Sequence, residues 1–158
     1  MPDHTVPLRP PGSDAPMRPA PPFVALGPRG EIYVCDSDEP LRHASLYGVV
    51  RGFFAGLQAF DREGMAWRVQ EVEGPYRITF LTKLLARTLY NPRFSVHLRW
   101  REDGRYQLPQ LQDAICHAVD QDDDVSTQFI SAERLKKVVR LSRSFDELVD
   151  KLRKHRAA

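Results

Sequence analysis

Cysteine is scarce in this chain: two residues, Cys35 and Cys116, stand among 158. That is too few for a disulfide scaffold, and the two lie too far apart for a local metal knuckle, so reduced thiols are expected. Long apolar runs are lacking too. No stretch reaches the roughly 18 apolar residues of a membrane span, and the N-terminus shows no basic-then-apolar order of a secretion signal. The expectation is a cytoplasmic protein with no membrane partner. Net charge is small, +2 from 23 basic and 21 acidic residues, which by itself points to neither nucleic acid nor lipid. No motif implies a cofactor, and none is expected.

What is present is an ordinary globular composition, 42% hydrophobic and 28% charged, at a length that suits one domain. Proline is unevenly spread. Residues 1–22 hold eight of the thirteen prolines, and two acids balance two arginines there. Such a segment can neither build a hydrogen-bonded ladder nor bury enough surface to offset its ordering entropy. It reads as a disordered leader, with "LRPP" and "MRPAPP" as candidate polyproline ligands for an aromatic groove. A single α+β domain is expected over 23–158.

From Phe23, "FVALGPRGEIYVC" sets two apolar segments around Gly27-Pro28-Arg29-Gly30, the chemistry of a hairpin. "GEIYVCDS" resembles a strand of the NHL-type β-propeller repeat, which implies a propeller blade. A propeller stacks several similar blades, and this pattern occurs once in the chain. Leu46, Val49, Val50, Phe53, Leu57 and Phe60 recur at helical spacing, which predicts a helix from Leu46 to Phe60. Asp38 or Glu39 would cap its start and Pro40 would sit in the first turn. Gly48, Gly52 and Gly56 would form a smooth stripe on that helix for close packing inside the domain.

"AWRVQEV", residues 66–72, alternates like a strand, and 78–90 keeps a helical face through Leu81, Leu84, Leu85 and Leu89. Asp103-Gly104 predicts a two-residue hairpin turn between Phe94–Arg101 and Tyr106–Leu108. On the first of those strands Val96, Leu98 and Trp100 share a core face, opposite Ser95, His97, Arg99 and Arg101. A helix around "LPQLQDAICHAVD" should turn Leu111, Ile115, Ala118 and Val119 inward. Two more helices follow, opened by Ser131 and by Ser144 with Glu147 as a capping box. The expected class is therefore α+β: a small antiparallel or mixed sheet, packed by helices on one face, with a C-terminal helical pair over 131–158.

Candidate chemistry is thin. Asp36-Ser37-Asp38 at a strand end resembles the Asp-x-Asp of haloacid-dehalogenase-type phosphatases and of nucleotide-sugar transferases. The resemblance implies a nucleophile with its acid/base partner, or a pair of divalent-metal ligands. His117 and Asp120 stand one helical turn apart, and Asp122, Asp123 or Asp124 would complete an oxygen-rich site. Cys116 and His117 are adjacent, point to different helix faces and cannot act as a pair. No catalytic residue is assigned.

Charge segregation is the stronger signal. Residues 111–130 carry five acids and no lysine or arginine, while 131–158 carry nine lysines and arginines against four acids. The candidate partner-binding residues are Arg99, Arg101 and Arg105 on the hairpin, with Lys136, Lys137, Arg140, Arg143, Lys151, Arg153 and Lys154 on the last two helices. They support a small protein–protein interaction module, of adaptor, chaperone-like or toxin-neutralising type, whose opposed patches steer its partner. Nucleic acid bound by the same cations is the alternative, and a metal-dependent phosphate-processing enzyme at Asp36 and Asp38 the second.

Overall fold

The computed structural model describes residues 17–74, 81, 84, 93–121 and 130–156. Strands β1 (Phe23–Leu26) and β2 (Ile32–Cys35) form the expected antiparallel hairpin. Its turn closes through Gly27 N donating to Glu31 O at 2.8 Å. Gly30 adopts φ +89° there, a region that a Cβ makes costly.

The continuous helix expected from Leu46 to Phe60 does not form. A 3₁₀ turn (Glu39–Arg42) carrying Pro40 and a short strand β3 (His43–Ser45) come first. Helix α1 then spans only Leu46–Val50, capped by Ser45 Oγ, which accepts from Gly48 N at 3.1 Å. Gly52 breaks it with φ +74°. A second 3₁₀ turn (Phe54–Gly56) leads into strand β4 (Gln58–Asp61), which pairs with β1. Phe60 thus belongs to a strand. The glycine stripe dissolves with the helix: a Cβ on Gly52 would meet nothing within 4 Å among the described residues, whereas one on Gly56 would lie 2.6 Å from Pro28 Cβ. Close packing explains Gly56, and backbone conformation explains Gly52.

Strand β5 (Met65–Glu73) alternates as read and pairs with β4 on one side. Its other neighbour corrects the second hairpin. After β6 (Arg93–Ser95), which pairs with β3, strand β7 runs from His97 to Arg105 straight through Asp103-Gly104 with no reversal. Met65 faces Arg105 and Trp67 faces Glu102, so β7 carries one residue more than β5 across that step. Gly104, at φ +91°, sits within this bulge. A compensating irregularity, Val69 to Trp100 then Glu71 to Arg99, places the extra residue on β5. The five-stranded sheet has order β2-β1-β4-β5-β7, antiparallel throughout.

Both faces of the sheet are covered over β1, β2 and β4. On one, α2 (Leu108–Gln121), α3 (Ala132–Arg140) and α4 (Phe145–Arg156) pack against Val24, Leu26, Ile32 and Phe60. Leu111, Ile115, Val139 and Leu148 are wholly buried in that layer, each worth about 1.5–3 kcal/mol relative to an exposed side chain. The inward residues of α2 are those its periodicity predicts, and α+β is the class. Gln112 joins them unannounced: its Nε2 donates to Val139 O at 2.9 Å and Ser142 O at 2.8 Å, satisfying carbonyls at the end of α3. Ser131 and Ser144 cap α3 and α4, accepting from Arg134 N and Glu147 N, while Glu147 reaches back to Arg143 N.

On the other face, Phe23, Ala25, Ala59, Trp67, Leu98 and Trp100 form a second core under the β3–β6 pair and the two 3₁₀ turns. Cys35 lies in this core and Cys116 in the first. Asp61 organises the β4–β5 turn and is 1% exposed. Its Oδ1 accepts from Glu63 N (3.0 Å) and Met65 N (2.9 Å), and its Oδ2 from Trp67 Nε1 (2.7 Å) and Ala20 N (3.3 Å). Tyr106 donates its hydroxyl to Asp61 O. Burial first, and the Asp61 charge second, push that phenol well above its usual range. The helix expected over 78–90 lies outside the described residues except Leu81 and Leu84, both helical and exposed. No helix among the described residues is long and apolar enough to cross a membrane.

Candidate functional site

The Asp-x-Asp pair is held by arginines. Asp36 accepts from Arg153 at 2.5 Å, a contact between residues 117 apart that ties α4 to the end of β2. Asp38 is 7% exposed and takes Arg42 Nη2 on both carboxylate oxygens, each at 3.0 Å. It makes no side-chain cap on the turn that follows. A metal or phosphoryl group at this pair would have to displace two guanidinium groups. The second acidic candidate is dispersed in a similar way. Asp120 accepts from Lys136 at 2.7 Å, His117 is exposed, and Asp122 to Asp124 lie outside the described residues. Among the described residues, no three His, Cys, Asp or Glu side chains gather to hold a metal ion.

The charge segregation seen along the chain is partly neutralised among the described residues. Acidic α2 lies beside basic α3, so that Lys136 bridges Asp120 and Glu133, and Arg140 pairs with Asp113. Lys136 is raised by its hydrogen bonds to Asp120, then Glu133. Within α4, Lys151 pairs with Glu147 at 2.6 Å. That bond first, and the Arg143 amide second, hold the Glu147 carboxyl below its usual range. Arg99 spans Glu71 (3.5 Å) and Glu73 (2.6 Å) across the β5–β7 ladder. Five of the candidate cations, Arg99, Lys136, Arg140, Lys151 and Arg153, are therefore engaged inside the molecule. Arg101, Arg105, Lys137, Arg143 and Lys154 are exposed and make no ion pair among the described residues.

Two of those unengaged cations share one strand. The C-terminal helices cover β1, β2 and β4, and reach β5 only at Ala66. Beyond that point β5 and β7 continue as a ribbon whose outer face bears Arg68 paired to Asp103 (2.5 Å), then Arg101 and Arg99. Strand β7 ends the sheet. Nine residues long, it alternates buried Leu98 and Trp100 with exposed Arg99 and Arg101, and is exposed throughout from Arg101 to Arg105. Its outer edge presents backbone N–H and C=O groups that the sheet does not use.

At the other end of β7 the surface opens into a cleft of about 790 Å³, lined by the first 3₁₀ turn, His43, the β6–β7 junction and Arg18. His43 and His97 lie far apart in the sequence. The fold brings them to one site: His43 faces Ser95 across β3–β6, and His97 faces Glu73 across β5–β7. Arg42 also lines the cleft, and its Nε is buried without an acceptor among the described residues. Leaving such a donor unpaired costs about 1–3 kcal/mol. The segments that meet here are distant in sequence, so no local motif announces the cleft. No protein-family model, curated protein or solved structure matches the chain, which leaves its own geometry to carry the functional argument.

Proposed function

We propose that this chain is a small cytoplasmic protein–protein interaction module, of adaptor, chaperone-like or toxin-neutralising type, that docks an acidic, extended segment of its partner along β7. The observation that carries the reading is the outer edge of β7, which has no strand partner among the described residues, with Arg101 and Arg105 exposed upon it and free of ion pairs among those residues. An extended peptide added there gains main-chain hydrogen bonds from the edge, and its alternate side chains meet the arginines. The same cations oppose pairing of β7 with a second copy of itself, because arginine would face arginine. Charge then selects the partner more than it binds it.

Nucleic acid is the second reading, favoured by the same two arginines and by Lys137, Arg143 and Lys154. The five neutralised cations weaken it, since phosphate contacts require charge that is free to release counterions. One titration separates the two. Fluorescence anisotropy with a labelled acidic peptide long enough to span β7 should give saturable binding that the Arg101→Glu/Arg105→Glu variant weakens by about tenfold or more, or about 1.4 kcal/mol. Saturable binding of random-sequence single-stranded DNA or RNA, with none of the peptide, would replace the interaction module by the nucleic-acid reading.

A further inference from the structure

The cleft at the start of β7 is separate from the arginines at its far end, and its lining is specific in a different way. It contains three acids, but two are already neutralised: Asp38 by Arg42, and Glu73 by Arg99 at 2.6 Å. What remains unengaged by ion pairs among the described residues is Arg18, the imidazoles of His43 and His97, and the carboxylate of Glu39. Ser95 stands directly opposite His43 and two residues before His97. His43 and His97 both line the cleft and are both exposed, so each ring is available to a group seated in it. Arg42 is fixed in place by its two bonds to Asp38, so its guanidinium is oriented before any ligand arrives.

We propose that this cleft binds a sugar phosphate. The phosphate sits between His43 and His97, where Ser95 donates its hydroxyl and Arg18 supplies the uncompensated positive charge. The sugar hydroxyls face Glu39, whose carboxylate accepts from them. A plain anion would use the nitrogen donors alone and leave that carboxylate as a repulsive neighbour. A polyhydroxylated phosphate uses both kinds of wall. The volume of about 790 Å³ fits such a ligand, since small-molecule sites run to roughly 300–1,000 Å³.

The test is isothermal titration of the whole chain with ribose 5-phosphate, ribose and inorganic phosphate at physiological ionic strength, alongside ¹⁵N-resolved imidazole spectra. Ribose 5-phosphate should bind one-to-one and shift the signals of His43 and His97, inorganic phosphate should bind about tenfold more weakly, and ribose should not bind. His43→Gln/His97→Gln, two exposed positions whose replacement leaves both cores intact, should weaken ribose 5-phosphate by about tenfold or more. Arg18→Ala should weaken it as well. Circular dichroism of each variant confirms the fold. Absence of binding at millimolar ribose 5-phosphate overturns the proposal. So does binding that survives in His43→Gln/His97→Gln, or that is lost in Arg101→Glu/Arg105→Glu, which would move the phosphate to the far end of β7. Because those last two residues carry the peptide reading and not this one, the two ideas fail independently.

Discussion

Asp61 holds four donors with two oxygens in a site that is 1% exposed, and its removal should be among the most damaging single changes to the fold. In Asp61→Ala the indole N–H of Trp67 is left inside the second core, and the amides of Glu63 and Met65 lose the acceptor that closes the β4–β5 turn. Hydrogen bonds to a charged group are worth about 1.5–3 kcal/mol each, and a stranded buried donor costs about 1–3 kcal/mol. The turn amides recover part of this by reaching water, so a total near 3–5 kcal/mol is expected. A domain of this size has about 5–15 kcal/mol to lose. Asp61→Asn is milder but not neutral. One oxygen becomes an NH₂ group, and in either orientation it meets N–H donors. Urea unfolding followed by far-UV circular dichroism reads the effect without relying on Trp67 fluorescence. With a slope of about 1–3 kcal/mol per molar urea, Asp61→Ala should lower the midpoint by roughly 2 M. A loss below about 1 kcal/mol would mean that the four bonds do not hold the turn, and the reasoning would fail.

Gly52→Leu should lower the melting temperature because a side chain at φ +74° is strained by about 1–2 kcal/mol, although its Cβ would touch nothing. Gly52→Asn should lower it less, and an unchanged melting point in Gly52→Leu would contradict the backbone argument. Gln112→Leu should cost about 1–3 kcal/mol in chemical unfolding by stranding the carbonyl of Ser142 and leaving Val139 O to the amides of Leu141 and Ser142, whereas a stable variant would show that water serves Ser142 O equally well. Glu147, held low by Lys151 and the Arg143 amide, stabilises α4 above the ordinary glutamate range. That contribution fades as pH falls through the ordinary value and then the lowered one. The acid limb of a stability-versus-pH curve should flatten in Glu147→Gln, and an unaltered limb would place the acid sensitivity elsewhere.

The parts of the fold legible in the sequence are those whose signals are local and unambiguous. The β1–β2 turn needs its glycines, the three C-terminal helices carry clear periodicity and the last two of them serine caps, and Val96, Leu98 and Trp100 alternate cleanly. Two signals have more than one structural solution. Phe53, Leu57 and Phe60 fit a helical stripe, yet they equally fit a turn followed by a strand, and Gly52 and Gly56 decide for the second. Asp-Gly marks a positive φ, which both a hairpin turn and a β-bulge require. Only the pairing partner, β5, distinguishes them. Charge behaves similarly. Residue type is readable, but neutralisation of Arg140 by Asp113, or of Arg153 by Asp36, depends on which elements become neighbours. The cleft is least legible of all, because Arg18, His43, Glu73 and His97 meet only once β3 has paired with β6 and β5 with β7.

If β7 accepts an acidic strand along its outer edge, the amides on that edge must become protected. Amide hydrogen exchange of the full chain, measured residue by residue with and without the acidic peptide, tests it directly. Backbone pairing should slow exchange at alternate amides between Leu98 and Arg105, those pointing away from β5, and leave α3 and α4 unchanged. Protection confined to the last two helices, or peptide binding with no change along β7, would contradict the account.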